Sequence, residues 1–362
     1  MRVQSRSRSL ETEVVVRDDL AEALAEEWDA LALECGAGPF ARPTYALAWW
    51  RTLGQGRLLV VTVRSEGRLV ALAPLHERRI GPIAVARWLG HGLGTVAEVL
   101  VRPDVPGAAT ALWAAIDSPR RVLQLLDCSG AGAGLTELAE RPGLRTTVSL
   151  SDSCPYLDLD GRDPAAVLAA PRYRRLRRAL SISERRMAAA GLTWRVEVAD
   201  DAASWDRLRG PVLEVYDAAE AAQPRHHLLA GPTGAFTDDF VATAVASGEA
   251  LVVVGFADDR PVCFDIVLLT PTAWSWWVGR FAPDAASFSP GHLLLRAGLS
   301  LAAERGVSRI DLLLGDAEYK RRWATDSYPT HDVLSGRRLP VALVNAVVRA
   351  VDLRRRGPWS TT

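Results

Sequence analysis

The sequence predicts an α+β protein built from two similar domains. Its 362 residues are 49% hydrophobic, so the chain can bury a sizeable core, and its length suits two domains better than one. In each half, two strand-like runs are joined by a short turn, and a helical stretch and an apolar strand follow. This shared order indicates a duplicated α+β unit, although the halves show no residue-by-residue identity.

The first half begins with a predicted helix over about Asp18–Cys35. Asp18 is a plausible cap, and apolar residues recur at helical spacing, namely Leu20, Leu24, Trp28 and Leu31. After the break at "GPFARPTY", two β-rich runs flank Ser65-Glu66-Gly67, which is typical of a hairpin. The apolar run Val122–Gly130 then predicts a further strand.

The second half repeats this order. Asp258-Asp259 marks the turn of a second hairpin, and "AWSWWVGRF" predicts the next strand. A helix is expected from about Pro290 to Arg305, because Ser289 can cap it and Gly306 follows its end. The run "SRIDLLLG" predicts the strand after it.

The segment between the halves carries two helix starts, at Asp163-Pro164 and at Pro171, and the longer helix ends near Gly191. We therefore expect the domain boundary near residue 160. The predicted organisation is a flexible N-terminus (1–13), an N-terminal domain (14–160), a C-terminal catalytic domain (161–354) and a flexible tail (355–362).

Composition excludes several classes of protein. Lys+Arg and Asp+Glu are balanced at 43 each, so the whole-chain positive charge of a dedicated nucleic-acid binder is lacking and no DNA partner is expected. The four cysteines are far apart without metal-ligand spacing, which favours buried reduced thiols over zinc or disulfides: Cys35, Cys128, Cys154 and Cys263. The basic start "MRVQSRSRSLETE" has no apolar run behind it, so we expect a cytoplasmic protein without membrane insertion.

Several stretches, taken in order, resemble a known family: "GPFARPTYALAWWRTLG", "GRLVALAPLHERR", "CPYLDLDG", "RYRRLRRALSISERRMAAAGL" and "SPGHLLLRAGLSLAAERGVSRIDLLLGDAEYKRRW". The resemblance is to the long GNAT-like acyltransferases of the cellulose-biosynthesis-protein type, which are related to the Fem-type peptidyltransferases that use aminoacyl-tRNA. It runs from about Asp18 to Trp323 and is strongest in the last stretch. It implies two tandem GNAT-like domains, each a mixed twisted sheet flanked by helices, with the chemistry at the second.

A donor site is expected where a strand passes directly into a helix, over Phe281–Gly291. Unpaired N–H groups and the positive end of the helix dipole suit a phosphate there. The predicted cofactor-binding residues are Ser289, Gly291, His292 and Leu293. By itself the stretch also fits an ordinary capped helix. The GNAT superfamily implies acyl-CoA, most simply acetyl-CoA, as donor. Its phosphate loop normally carries two or more glycines, and "SFSPGHLL" has one, so aminoacyl-tRNA stays open as an alternative donor.

Polar residues crowd the end of the last strand, in "IDLLLGDAEYKRRWATD". Asp316, Tyr319 and Lys320 are candidate catalytic residues, because the carboxyl ends of such strands usually carry the ligand site. Tyr319 could donate a hydrogen bond to a leaving thiolate or an oxyanion, and Lys320 could neutralise the developing charge. Asp311 lies inside the strand, where a charge needs a partner such as Lys320 or Arg296, and it is also a candidate substrate-binding residue. A structural ion pair is the alternative.

Asp265 is an acidic residue in the otherwise apolar strand "VCFDIVL", which makes it a candidate catalytic base for a substrate amine. An edge strand with its carboxylate in water is the alternative. In "AWSWWVGR", strict alternation puts Trp274, Trp276 and Val278 on one face and Ser275, Trp277 and Gly279 on the other. One of Trp276 and Trp277 is expected to line a pocket and the other to pack in the core, and Trp277 and Arg280 are the predicted substrate-binding residues of this strand.

An arginine-rich helix is predicted within "PRYRRLRRALSISERR". Arg174 and Arg178 are like charges four residues apart, which destabilise a helix unless an anion or a carboxylate lies close. A solvated charged face is one explanation, and an anionic partner is the other. In "PRHHLL", Arg225 and His227 are predicted on a loop, where they either face substrate or are merely exposed, and with no third ligand nearby a metal is not expected.

The predicted function is an N-acyltransferase in which an amine of a small-molecule or peptide acceptor attacks an acyl thioester directly. No Ser-His-Asp or Cys-His order indicates a covalent acyl-enzyme. A transferase that uses aminoacyl-tRNA and a non-catalytic ligand-binding tandem fold are the alternatives.

Overall fold

The computed structural model describes residues 10–93, 95–129, 133–224 and 228–337. These residues form two compact units. The first unit comprises the described residues of Met1–Asp152 and Pro329–Thr362, and the second is Ser153–Tyr328. In chain order, the second unit is therefore inserted between two segments of the first.

The strands are β1 (Leu10–Val15), β2 (Arg57–Ser65), β3 (Arg68–Ile80), β4 (Ile83–Trp88), β5 (Leu100–Val101), β6 (Arg121–Ser129), β7 (Arg145–Asp158), β8 (Trp194–Ala199), β9 (Ala250–Ala257), β10 (Arg260–Leu269), β11 (Ala273–Phe281), β12 (Arg309–Asp311) and β13 (Asp326–Gly336). The helices are α1 (Asp18–Ala23), α2 (Ala25–Glu34), α3 (Pro43–Leu53), α4 (Ala108–Ile116), α5 (Ala133–Glu140), α6 (Pro164–Ala169), α7 (Arg174–Ala189), α8 (Ala202–Ala222), α9 (Gly231–Ala246), α10 (Pro290–Glu304) and α11 (Glu318–Trp323). Short 3₁₀ turns occupy Pro39–Ala41, Pro171–Tyr173 and Pro283–Phe288.

The first unit contains a mixed sheet in the order β1-β2-β3-β4-β6-β13, with β5 paired to β3. The β4–β6 pair is parallel, and β6 pairs antiparallel with β13. The hairpin between β2 and β3 turns at Glu66 and Gly67, which both have positive φ, as the predicted turn requires. Alternating strand residues pack with α4 in one apolar core that includes Val61, Leu112 and Trp113.

The second unit contains a mixed sheet in the order β7-β12-β11-β10-β9-β8. Leu251 and Val253 of β9 face a core formed with leucines of α10 and the buried stripe of α7. On the other side, Trp277 of β11 packs against Phe236 and Phe240 of α9. Helices therefore cover both faces of this sheet, and the predicted α+β class with tandem mixed sheets is confirmed.

The predicted helices are largely present, with one correction. Asp163 caps α6 through its side chain, and α10 spans Pro290–Glu304, close to the predicted range. The single helix expected over Asp18–Cys35 is wrong, because Leu24 (φ −84, ψ −12) separates α1 from α2, and Arg17, not Asp18, is the cap residue. The buried stripe runs through Ala21, Leu24, Trp28 and Leu31, and Leu20, which was expected on it, is 45% exposed.

The first four residues of β1, Leu10–Glu13, fall within the N-terminal stretch predicted to be flexible, and they pair with β2. Residues 338–354 of the predicted catalytic domain and the tail 355–362 lie outside the described residues. None of the helices in the described ranges combines the length and the apolar character that crossing a membrane requires.

Candidate active site

Two parallel strands of the second unit separate at their carboxyl ends. Strands β11 and β12 pair only through Ala273–Ser275 and Arg309–Asp311, and β11 continues to Phe281. Ligands of α/β folds commonly bind where parallel strands end or change direction. The candidate site lies in the region of this divergence.

A β-bulge in β11 decides which side chains face this region. Ile266 of β10 pairs with Val278, and the next residue, Val267, pairs with Trp276, so Trp277 is the extra residue. Trp277 packs against α9, whereas Trp276 and Gly279 lie on the face that carries Asp265. The strict alternation predicted from sequence, which put Trp276 and Gly279 on opposite faces, is therefore wrong.

Asp265 supplies the carboxyl of this face. It is half-buried in β10, and its Oδ2 accepts a hydrogen bond from Trp276 Nε1 at 3.1 Å. Its partner across the strands is Gly279, where an added Cβ would collide with Asp265 Oδ1. Burial raises the pKa of Asp265 to about 8, and the Trp276 hydrogen bond opposes this shift only in part. The carboxyl therefore exchanges its proton near neutral pH.

The indole that holds Asp265 is itself fixed by packing. The ring of Trp276 lies against Gly298 of α10, where any Cβ would collide with the indole carbons. A glycine inside a helix lowers its stability by about 1 kcal/mol relative to alanine, so this close approach is obtained at a measurable cost. The contact couples the position of the Asp265 carboxyl to α10.

The start of α10 is the predicted donor site. Ser289 adopts the left-handed conformation (φ 49, ψ 52) and does not cap the helix through its side chain. Gly291 is exposed, and among the described residues no atom lies within 4 Å of the position that a Cβ would take there. Leu293 is buried in the core, so only its backbone can contribute to a ligand site.

His292, in the first turn of α10, contacts α11. Its Nδ1 accepts a hydrogen bond from Trp323 Nε1 at 2.9 Å. Burial lowers the pKa of His292, and the charge of Arg322 lowers it further. The imidazole is therefore neutral at pH 7 and carries its proton on Nε2, which leaves Nε2–H as a hydrogen-bond donor.

Asp311 ends β12 within a dense set of partners. Its Oδ1 accepts from the Leu313 N–H and its Oδ2 from the Tyr328 hydroxyl, both at 2.7 Å. Burial raises its pKa, although both hydrogen bonds and the charge of Lys320 oppose the shift. Arg296, one of the two partners expected from sequence, instead pairs with Glu184 of α7.

The other predicted catalytic residues at this strand end have different environments. Lys320 is 9% exposed, and its Nζ donates hydrogen bonds to the backbone carbonyls of Leu313, at 3.2 Å, and Leu314. Leu313 has a positive φ of 57°, so the ammonium binds a turn of uncommon backbone conformation. Asp316 pairs with Arg321 at 2.8 Å on the surface, and Tyr319 is 51% exposed.

The structure does not bring the remaining predicted residues to the Asp265 face. Arg280 pairs with Glu220 of α8 at 3.0 Å and lies near the Tyr216 ring, on the side of the sheet that Trp277 occupies. Arg225 and His227 fall outside the described residues. Trp276 and Gly279 belong to the site beside Asp265, and only the unpredicted bulge brings them together.

A cavity of about 430 Å³ lies beside the start of α10. Its floor is apolar, with Met187, Val262 and Phe288 among its lining residues, and its rim carries Asp258, Asp259, Arg260 and Asp284. Arg260 pairs with Asp284 at 2.7 Å. Asp259 lies 3.7 Å from Arg195, so the rim keeps a small excess of acidic groups, three aspartates against Arg260 and Arg195.

The arginines of α7 and its preceding turn form two groups. Arg172, Arg177 and Arg186 donate to backbone carbonyls and therefore hold the fold together. In the part of the chain that the structure describes, no hydrogen bond or ion pair is formed by four exposed members: Arg174, Arg175, Arg178 and Arg185. No group of three or more His, Cys, Asp or Glu side chains within the described ranges is arranged to hold a metal ion.

Comparison with known proteins supports the fold. Residues 174–321 match the family model described as acetyltransferase (GNAT) domain. A search of curated proteins found no match. Among solved structures, FemX has a TM-score of 0.66 at 10% identity, over 93% of this chain and 99% of that chain.

Two other solved structures are similar. The C-terminal domain of a putative lysylphosphatidylglycerol synthetase from Agrobacterium fabrum has a TM-score of 0.60 at 17% identity, over 92% of this chain and 97% of that one. L-PGS from Bacillus licheniformis has a TM-score of 0.57 at 14% identity, over 91% and 97%. The domain match and the fold support the GNAT superfamily, and the protein is an acyltransferase.

Proposed function

We propose that the protein is an N-acyltransferase that transfers an acyl group from acyl-CoA to an amine of a small-molecule or peptide acceptor, with acetyl-CoA as the first donor to test. The observation that carries the proposal is Asp265, a carboxyl with a pKa of about 8 at the divergence of β11 and β12. A general base works best when its pKa lies near the working pH. The sequence resemblance further favours the cellulose-biosynthesis-protein type of GNAT-like acyltransferase.

In this mechanism the Asp265 carboxylate takes a proton from the acceptor ammonium, and the free amine attacks the thioester carbonyl carbon. The tetrahedral intermediate then collapses, the carbon–sulfur bond breaks, and the amide forms. Asp265 releases this first proton to solvent and then accepts the second proton from the nitrogen. The leaving thiolate takes up one proton as CoA, so the transfer is balanced.

Charge stabilisation is assigned to two elements. The backbone N–H groups in the first turn of α10 would hold a donor phosphate, because Gly291 leaves space for close approach. Tyr319 is exposed enough to donate to the thiolate or the oxyanion. Lys320 would act through its charge, since its Nζ is already bound to backbone carbonyls, and Asp316 would act by orienting Arg321.

The acceptor class follows from the cavity beside α10. An apolar floor under an acidic rim suits a ligand with an apolar body and a cationic amine. Val262 lines this cavity and lies three residues before Asp265 on β10, which is about 10 Å along a strand. An amine anchored by the rim could therefore present a second amine or its extended end to Asp265.

Aminoacyl-tRNA as the acyl donor is the second candidate. It is favoured by the exposed Arg174, Arg175, Arg178 and Arg185, whose side chains are available to phosphates. The fold likeness to FemX and to a putative lysylphosphatidylglycerol synthetase is compatible with this candidate.

Thermal unfolding with CoA and acetyl-CoA tests the proposal. We expect Tm to rise with ligand concentration above its Kd, because a ligand that binds only the folded state stabilises it. Gly291→Asp should abolish the rise, since it adds a negative charge at the helix start without contacting any described side chain. Asp265→Asn is the matched control and should keep it. If saturating CoA and acetyl-CoA leave Tm unchanged while aminoacyl-tRNA raises it, the second candidate replaces the first.

A further inference from the structure

The first unit carries a positively charged pocket, which we call the arginine pocket. Its volume is about 340 Å³, and its lining includes Arg57, Arg79, Arg120 and Arg121 around a single carboxylate, Glu77. The whole chain is electrically balanced, with 43 basic and 43 acidic residues. Net charge therefore does not account for four guanidinium groups in one concave surface.

Strand register places these side chains together. Arg57 of β2 pairs with Glu77 of β3, Arg79 of β3 pairs with Ala84 of β4, and Ala84 pairs with Arg121 of β6. Directly paired residues share a face, and adjacent strands are about 4.8 Å apart. Arg79 and Arg121 therefore flank Ala84, whose small side chain leaves the floor of the pocket open.

Glu77 holds only part of this charge. Its Oε1 pairs with Arg57 Nη2 at 2.6 Å and its Oε2 with Arg121 Nε at 2.9 Å, so both carboxylate oxygens are used. The Glu77 side chain is 12% exposed, which fixes these two arginines in place. Within the described ranges, Arg79 and Arg120 form no ion pair, and both are exposed to solvent.

Arg79 and Arg121 lie on either side of β4, and Glu77 already neutralises Arg121, so the positive charges that no described carboxylate balances are those of Arg79 and Arg120. A phosphate group above Ala84 would balance these charges, and the planar guanidinium group is well suited to paired hydrogen bonds with phosphate oxygens. The pocket volume is near the lower end for small-molecule sites, which is compatible with one phosphate or diphosphate group. We propose that the arginine pocket binds a phosphate group, at a site that is separate in the sequence from the acyl-transfer residues of the second unit.

The test is isothermal titration of the full chain with inorganic pyrophosphate at constant ionic strength. Arg79→Gln combined with Arg120→Gln should weaken binding about 10-fold or more, because two charge-assisted contacts are lost. Folding should be retained, since neither side chain has a structural partner among the described residues. Arg17→Gln combined with Arg145→Gln removes the same charge from exposed positions of the first unit outside the pocket and should leave binding unchanged.

The source of the phosphate is separated by a second probe, cosedimentation with phosphatidylglycerol vesicles against phosphatidylcholine vesicles. Binding to phosphatidylglycerol that depends on Arg79 and Arg120 identifies a lipid headgroup, and pyrophosphate binding without it identifies a soluble phosphate compound. The proposal is overturned if the Arg79/Arg120 variant binds both probes as the wild type does. It is equally overturned if the Arg17/Arg145 control loses as much affinity, because the effect would then be a general response to net charge.

Discussion

Asp265 and Asp311 are two aspartates on strands of the same sheet, and in both burial raises the pKa of the carboxyl. Their surroundings differ. Asp311 accepts from a backbone N–H and a tyrosine hydroxyl and lies within the field of Lys320, whereas Asp265 accepts one hydrogen bond, from the Trp276 indole. Asp311 is bound into the backbone turn that follows it, and Asp265 is free to exchange its proton.

The comparison shows that a buried acidic residue in a strand is not enough to indicate a base. The number of donors on the carboxylate separates the two roles, because each donor binds the charged form and reduces its tendency to accept a proton. On this criterion Asp265 is the residue of acid–base chemistry, and Asp311 shapes the strand end near Lys320.

The largest expected effect is on Asp265. Asp265→Asn should reduce turnover by roughly 10²-fold or more, the scale of losing a general base, whereas Asp311→Asn should retain most of it. In the wild type, turnover should fall as pH drops below about 8, because protonation removes the base. A pH–rate profile of both variants against the wild type measures these effects.

The Asp265→Asn substitution should raise the stability of the protein although it lowers turnover. The folded pKa of Asp265, about 8, is above the reference value of 3.8, so the native state retains a proton that the unfolded chain loses. This carboxyl therefore destabilises the wild type increasingly as pH rises from 4 to 8. Asp265→Asn, which stays neutral, should become relatively more stable by roughly 2–4 kcal/mol above pH 8, after allowance for partial exposure. Unchanged turnover and an unchanged stability curve would end the assignment of Asp265 as the base.

An intermediate effect is expected from replacing Lys320, which binds the turn that follows Asp311. Lys320→Met should lower the free energy of unfolding by about 2–3 kcal/mol, because the carbonyls of Leu313 and Leu314 lose a buried charged donor. Urea unfolding of the variant measures the loss. Arg321→Met, which breaks only the exposed pair with Asp316, is the control and should cost less than about 1 kcal/mol. If Lys320→Met instead keeps full stability but loses turnover, Lys320 acts in the chemistry itself.

The smallest expected effect comes from removing the hydrogen-bond donor to Asp265, which is the Trp276 indole N–H. Trp276→Phe removes the indole N–H that lowers the pKa of Asp265, so the acid limb of the pH–rate profile should move to higher pH by about half a unit to one unit. Trp277→Phe, on the α9 side of the same strand, should leave the limb in place. An identical profile for the Trp276 variant would mean that the indole packs beside the carboxyl without setting its proton affinity.

The features that the sequence could predict are those that depend on nearby residues. The span of α10 follows from Ser289, Pro290 and Gly306, and the acidic residue in an apolar strand is visible in "VCFDIVL" itself. The bulge at Trp277 could not be predicted, because it is a property of the pairing between two strands. One extra residue in a strand moves every later side chain of that strand to the other face of the sheet.

Non-local geometry accounts for the other differences. The binding of Lys320 to backbone carbonyls depends on the left-handed conformation of Leu313, which a leucine rarely adopts and no motif announces. The arginine pocket depends on the register of four strands, so "HERR" and "PRR" become neighbours only after the sheet forms. The predicted division at residue 160 and the roles of the site residues stay predictions.

The return of β13 to the first unit has a consequence for the order in which the protein can form. Strand β6 pairs with β4 on one side and with residues 330–336 of β13 on the other. These residues are synthesised after the whole second unit. During synthesis, strands β8 to β12 can therefore pair while β6 still presents an unpaired edge, a state prone to pairing with other chains. A chain that ends after Tyr328 would carry the whole second unit attached to an incomplete first unit.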